Sequence, residues 1–341
     1  MAESILVAGG AGYIGSHVCK ALSMAGYLPV VYDSLVTGYP AAVQWGPLER
    51  GDLDDRERLH AVFDAHGCSA VVQLAGFISA GESVQNPAKY YRNNLRGMLT
   101  LLEVMRGAGV DRIVFSSSAA VYGTPRQVPI AENAPIEPMN PYGHTKAMSE
   151  QFLCDEARNG LRSVSLRYFN AAGADPDGEL GEAHDPETHL IPLVLQAAAG
   201  IRPHVDVYGD AYPTDDGTCV RDYVHVADLA AAHVAALRRT EEVRGASAYN
   251  LGNGRGVSVR EVIEMAECVT GRAIAARVCA PRPGDPPRLV ADSTLARNEL
   301  GWTQQYADLE TQVAHAWSWF LRQPEFSTAA SMTLPCRRAA S

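Results

Sequence analysis

Gly9-Gly10-Ala11-Gly12-Tyr13-Ile14-Gly15 follows the short apolar run Ile5–Ala8 and opens a stretch that reads as a helix to about Ala25. An apolar run of four ended by two glycines is too short for a helix and reads as a buried parallel strand. The glycines satisfy G-x-G-x-x-G through Gly10, Gly12 and Gly15, and G-x-x-G-x-x-G through Gly9, Gly12 and Gly15. Between a strand and a helix, such a turn lets backbone approach a pyrophosphate whose charge rests at the helix N-terminus.

Working outward, Leu28–Tyr32 reads as a second strand, closed by Asp33. A carboxylate there accepts from the adenosine ribose hydroxyls and repels a 2′-phosphate. No Arg or Lys lies in Ser34–Tyr39 to receive such a phosphate. Asp52 ends a third strand, placed to meet the adenine. The expected cofactor is NAD.

The alternation continues with strand Ala70–Leu74, helix Pro87–Ala108, strand Arg112–Ser116, helix Pro141–Arg158 and strand Ser163–Phe169. Strands alternating with helices imply an α/β, Rossmann-type doubly wound parallel sheet covered on both faces. After Phe169 the rhythm breaks. The expected layout is an NAD-binding domain over 1–170 with elements returning near 220–252. A smaller α+β substrate-binding lobe takes 171–219 and 253–324, and a disordered tail takes 325–341.

The 341 residues carry a net charge of −10, which argues against nucleic acid or anionic membrane as partner. No stretch approaches 18 apolar residues, and the N-terminus lacks a signal-peptide pattern. Cys19, Cys68, Cys154, Cys219, Cys268, Cys279 and Cys336 are odd in number and never paired as C-x-x-C. That fits reduced thiols in the cytoplasm; no metal site is expected.

Tyr142 and Lys146 stand i, i+4 at the start of a helix, with Asn140 as N-cap and Pro141 at its first position. A phenol with a pKa of about 10 needs about 3 units of depression to act as a base at neutral pH. That is about 4 kcal/mol, which one ammonium at about 4 Å supplies at an effective dielectric near 20. Ser116-Ser117-Ser118 ends the preceding strand at the carboxyl edge of the sheet, where open α/β folds bind ligands. Ser118 is placed to share a substrate hydroxyl proton with Tyr142.

These residues resemble the extended short-chain dehydrogenase/reductases, and among them the UDP-galactose (UDP-glucose) 4-epimerases. The resemblance runs over about residues 4–320. It is carried by Gly9–His17, Ala75-Gly76, Gly81–Val84, Tyr90–Asn94, Ser116–Gly123, Pro141–Lys146, Leu166–Asn170, Tyr208–Val226 and Tyr249–Gly252. It implies an isomerase that interconverts UDP-galactose and UDP-glucose, with hydride passing from the sugar C4 to NAD and back to the opposite face. Tyr142 is then the base, Ser118 its assistant, and Lys146 the holder of the nicotinamide ribose and activator of Tyr142. The implied cofactor contacts are Gly9, Gly12, Tyr13, Ile14, Gly15, Asp33, Asp52, Leu53, Ala75, Asn93, Ser116, Tyr142, Lys146 and Phe169. The UDP-sugar falls to Ser118, Tyr142, Asn170, Leu190, Tyr208, Arg221, Arg282, Asp285 and Leu289. Relatives pair through two helices, which implies a homodimer through Pro87–Ala108 and Pro141–Arg158.

Three positions depart from the family pattern. Ile78 stands where a Lys is frequent, removing one charged cofactor contact. His189 replaces an Asn near the diphosphate. Leu289 replaces a bulky Tyr beside the sugar's C2 substituent, which opens the site to UDP-GlcNAc and UDP-GalNAc. Ala119-Ala120 after Ser118 cannot transfer protons, which demotes a 4,6-dehydratase. A UDP-glucuronate decarboxylase stays open as an alternative. A non-catalytic NAD-binding scaffold is disfavoured by the intact Ser118, Tyr142 and Lys146.

Overall fold

The computed structural model describes residues 2–282 and 284–323; the tail expected over 325–341 lies outside the described residues. The chain begins with β1 (Ser4–Ala8), α1 (Tyr13–Met24), β2 (Leu28–Asp33), β3 (Leu48–Arg50), α2 (Arg56–His66) and β4 (Ala70–Gln73). Next come α3 (Ala80–Gln85), α4 (Pro87–Tyr90), a π-helical turn (Tyr91–Arg96), α5 (Gly97–Gly107), β5 (Arg112–Ser116), α6 (Pro141–Glu156) and β6 (Arg162–Tyr168). The second half holds β7 (Asn170–Ala172), α7 (Leu190–Ala198), β8 (Val205–Tyr208), β9 (Val220–His225), α8 (Val226–Glu242) and β10 (Ala246–Leu251). It closes with β11 (Gly256–Ser258), α9 (Val259–Thr270), β12 (Ala276–Cys279), β13 (Arg288–Leu289), α10 (Thr294–Leu300) and α11 (Leu309–Arg322).

Seven parallel strands form the main sheet in the order β10-β6-β5-β4-β1-β2-β3. Its first six strands follow the doubly wound Rossmann order, which reverses direction between β1 and β4. Alternate side chains of each strand point to opposite faces, and here both faces are buried. Ile5 and Val7 of β1 join a core with Val18 and Leu22 of α1 and Leu229 and Leu237 of α8. Leu6 and Ala8 join the other core, with Leu59 of α2 and Leu101 and Met105 of α5. That two-sided burial explains why the strands read as unbroken apolar runs.

Two expectations need correction. The helix read over Pro87–Ala108 is interrupted by the π turn at Tyr91–Arg96. Its widened turn carries Asn94 inward, where Nδ2 donates to the Phe77 carbonyl at 3.1 Å and to Thr145 Oγ1 at 3.1 Å. The elements expected to return near 220–252 also divide. β10 completes the main sheet beside β6 and α8 packs on its face, whereas β9 lies outside it. Strand β9 instead organises a small sheet with β7, β11 and β13, and β8 pairs with β12 alone. Helices α7, α9 and α11 bury Ile191, Val194, Val262, Val313 and Phe320 in a separate core there.

Asp222 in β9 knits this second region together. Its carboxylate accepts the backbone N–H groups of Asn253 at 2.6 Å, Gly254 at 3.0 Å and Ala291 at 3.0 Å. Two segments distant in sequence, 253–254 and the chain at Ala291, thus end on one fully buried side chain of β9.

Candidate active site

A cleft of about 980 Å³ runs along the carboxyl ends of β1, β2, β4, β5 and β6 and on into the second region. That lies at the top of the range of about 300–1,000 Å³ for small-molecule sites, room for two ligands end to end.

One half is built on the Gly-rich turn. Gly9 adopts φ +81°, and a Cβ on it would meet the Ala75 nitrogen at 2.6 Å; a Cβ on Gly15 would meet the Gly9 carbonyl at 2.1 Å. Those two glycines let the turn fold against Leu74-Ala75, just past the end of β4, and let α1 start beneath it. Gly12 is the N-cap of α1 and no side chain caps the helix, which fits a phosphate at that N-terminus. Asp33 is buried at the end of β2; its Oδ2 accepts from Ala11 N at 3.0 Å and its Oδ1 from Leu35 N at 2.8 Å. The carboxylate that would meet the ribose therefore also fixes the turn. Tyr13, Ile14, Asp52, Leu53, Ala75, Ile78, Asn93 and Phe169 line the same half. The buried Asp33 carboxylate on this wall would repel the 2′-phosphate of NADP, which favours NAD.

At the centre, the structure brings Ser116, Ser118, Tyr142 and Lys146 onto one wall. Asn140 Oδ1 caps α6 by accepting from Gly143 N at 2.9 Å, and Pro141 takes the first turn, as the sequence implies. A Cβ on Gly143 would meet the Ala120 carbonyl at 2.6 Å, so glycine there lets the helix rest on the turn that carries Ser118. Lys146 Nζ donates to the Ser116 carbonyl at 2.6 Å and lies 5.8 Å from the Tyr142 ring centroid.

The expected depression of the Tyr142 phenol does not arise from these groups. Burial pushes its pKa up, and a hydrogen bond with Ser118 is what opposes the rise. Burial also lowers Lys146 to about 8, with the carboxylate of Glu150 acting against it. One of the three N–H donors of Lys146 is taken by the Ser116 carbonyl, and the amine stands 5.8 Å from the Tyr142 ring centroid, so its pull on the phenol is offset here by burial. Glu150 is anchored one helical turn on from Lys146. It receives Arg167 Nε at 2.9 Å, while Arg167 also donates to the Tyr122 hydroxyl at 2.9 Å.

The other half draws on scattered segments. Asn170, Leu190, Arg221, Asp285 and Leu289 line it. Arg221 donates to Asp285 Oδ1 at 2.7 Å and to the carbonyls of Val220 and Pro286, each at 2.9 Å. Its guanidinium is thereby held in one orientation. Tyr208 and Arg282 are not on the cleft wall; they stack on each other, with the guanidinium 3.9 Å from the ring centroid. Sequence reasoning missed Tyr223, Met139 and the Glu182–His189 segment as lining residues, and noted only His189 among the last. Acidic and histidine spacing within residues 182–189 was the available signal.

Known proteins bear directly on this arrangement. The family model described as "NAD dependent epimerase/dehydratase family" matches residues 5–252. A UDP-glucose 4-epimerase of Rhizobium meliloti (strain 1021) is 50% identical over 322 residues, 94% of this chain and 98% of that protein. The chain belongs to that family. Among solved structures, the UDP-glucose 4-epimerase from Brucella ovis in complex with NAD superposes with a TM-score of 0.90 at 50% identity. It covers 93% of this chain and 98% of its own. The UDP-Glc/GlcNAc 4-epimerase of Campylobacter jejuni gives 0.81 at 38% identity, covering 93% and 98%. Family membership accounts for the doubly wound sheet and for a glycine turn shaped to a dinucleotide.

Proposed function

We propose that this chain is an NAD-dependent UDP-glucose 4-epimerase that interconverts UDP-galactose and UDP-glucose. The observation that carries it is a single cleft with the Gly-rich turn at one end, a rigid arginine at the other, and Ser118, Tyr142 and Lys146 between. Relatives of this identity bear that activity in their names, and one holds NAD.

NAD bound along Gly9–Gly15 would supply the hydride acceptor, and its positive ring would add to the field of Lys146 at Tyr142. Tyr142, as the phenolate that bound NAD and Lys146 together would favour, takes the proton from the sugar C4 hydroxyl, with Ser118 sharing it through its hydrogen bond to Tyr142. Burial keeps the proton within the site, so it can return to the same oxygen after the 4-keto sugar turns over. Arg221 holds the diphosphate as a preorganised fork, with Asn170 and Leu190 against the rest of the UDP-sugar. The sheet with α8 and β10 serves as the cofactor domain, and the segments around the small sheets form the substrate lobe.

A second substrate class follows from Leu289. It lines the cleft, and the resemblance puts that position beside the sugar's C2, where a side chain smaller than Tyr would leave room for UDP-GlcNAc and UDP-GalNAc. No helix of the described residues is long and apolar enough to cross a membrane. With the six described cysteines all free, we assign a cytoplasmic location. We also assign a homodimer through α5 and α6, which expose Leu99 at 45% and Met148 at 42%; light scattering at micromolar concentration tests it.

The deciding experiment is a coupled assay with UDP-galactose on the purified protein, with and without added NAD. Formation of UDP-glucose supports the reading. No UDP-glucose under either condition overturns it.

A further inference from the structure

Glu182, His184, Glu187 and His189 occupy eight residues of the loop before α7 and cluster together, with Glu182, His184 and His189 lining the cleft. One ligand-type atom from each lies within 4.8 Å of the others. The two carboxylates are nearly closed to solvent, with side-chain exposures of 9% and 7%. Among the described residues, their ion pairs are made with histidines only. A neighbouring acidic group shows the contrast. Asp175, Asp177 and Glu179 close on the Lys20 ammonium at 2.9, 2.8 and 2.7 Å, so their cation is part of the chain.

We propose that Glu182, His184, Glu187 and His189 bind a divalent cation of the zinc class. Two imidazoles and two carboxylates make a complete four-ligand set of intermediate softness, suited to Zn²⁺ and poorly suited to Mg²⁺ or Ca²⁺, which want oxygen alone. With metal–ligand bonds of about 2.1 Å, a tetrahedral site separates its donors by roughly 3.4 Å. The observed separations straddle that figure. His184 Nδ1 stands 2.9 Å from Glu182 Oε1 and 3.9 Å from Glu187 Oε2; His189 Nδ1 stands 2.8 Å from Glu182 Oε1 and 3.0 Å from Glu187 Oε1.

Both Nδ1 atoms aim at one oxygen of Glu182, and His189 Nδ1 also meets Glu187. As it stands each nitrogen donates a proton to the carboxylates; a cation at the centre would displace those protons and take a lone pair from all four residues. Because the protein fills every position, the ion is structural and leaves no open site for catalysis. Its effect is local. His189 is the N-cap residue of α7, Leu190 follows on the cleft wall, and the His184 ring sits edge-on to Tyr13 of the Gly-rich turn at 6.3 Å. The ion fixes the loop that joins the two halves of the cleft.

The test titrates metal-depleted, full-length protein loaded with NAD, without UDP-sugar, using ZnCl₂ in competition with a chelator of known affinity. The wild type is compared with His184→Ala/His189→Ala. One Zn²⁺ per chain is expected. The variant should bind it more than ~100-fold more weakly, beyond the ~10–100-fold typical of losing an outer hydrogen-bond partner. CoCl₂ on the wild type alone provides a check that needs no variant, since four-coordinate His₂Glu₂ ligation gives the intense visible absorption of tetrahedral Co²⁺. Equal Zn²⁺ binding by both proteins, or a weak octahedral Co²⁺ spectrum, overturns the proposal and leaves the epimerase reading to its own assay.

Discussion

The two halves of the cleft are made by opposite means. The cofactor half is organised by backbone: one strand–turn–helix unit, two glycines packed against Ala75 and against each other, and one carboxylate that clamps the turn, with side chains lining the rest. The sugar half is side chains brought from β7, β9, β13 and the loops at 182–190 and 284–287. A binding surface made of backbone depends on space and is fragile to added atoms. One made of side chains depends on ion pairs and can be retuned by substitution.

Tyr142 stands at the junction, and its loss should have the largest effect. Tyr142→Phe is expected to lower kcat by about 10³-fold, about 4 kcal/mol, while retaining NAD; steady-state rates and the NAD content of the purified variant check it. A smaller but global loss should come from the backbone half. Gly15→Ala forces a Cβ to 2.1 Å from the Gly9 carbonyl, so about 3 kcal/mol of stability and the bound NAD should go together, as read by denaturant unfolding and absorbance. In the other half, Arg221→Ala should raise KM for the UDP-sugar roughly 30-fold with little change in NAD content, about 2 kcal/mol of binding. Equal damage to cofactor and sugar binding from either variant would break the contrast.

Acid should act beneath the cofactor half. His233 of α8 is fully buried; its Nδ1 contacts the Leu229 carbonyl at 2.8 Å, and its Nε2 has no hydrogen-bond partner among the described residues. Burial lowers its pKa to about 4. Below about pH 6.5 the unfolded chain takes up a proton that the folded chain refuses, so stability falls as pH drops towards 4. By pH 5 the loss is about 2 kcal/mol, and His233→Gln should remove that part of the slope in unfolding measured from pH 7 to 5. The smallest change expected is in specificity. Leu289→Tyr should reduce turnover of UDP-GlcNAc about tenfold relative to UDP-glucose, in a side-by-side kcat/KM comparison.

The same contrast decides what could be read from the sequence. β1, the turn, α1 and Asp33 were legible because their physics is local: apolar run, glycines, then a carboxylate at the strand end. Tyr142 and Lys146 were legible as a helical pair with a cap. What the pair does to its own acidity was not, because burial and the Ser116 carbonyl enter only with the fold. The π turn was illegible for a similar reason. Asn94 leaves the helical pattern to reach Phe77 and Thr145, 17 and 51 residues away. The strand at 220–225 read as part of the returning set, yet it pairs with β7, β11 and β13 through contacts that no local pattern encodes. Tyr208 and Arg282 were expected to hold the UDP-sugar, yet they stack on each other off the cleft wall.

The outermost strand of the main sheet carries a consequence for synthesis. β10 pairs with β6 in register from Ala246 against Ser163 to Leu251 against Tyr168. At about 5–20 residues per second, the ribosome needs on the order of ten seconds to make the intervening chain. During that interval β6 presents an open edge, with unpaired N–H and C=O groups ready to template another strand. The newborn protein is therefore most prone to aggregate after its cofactor turn is complete and before its seventh strand has emerged, a window that slower translation widens.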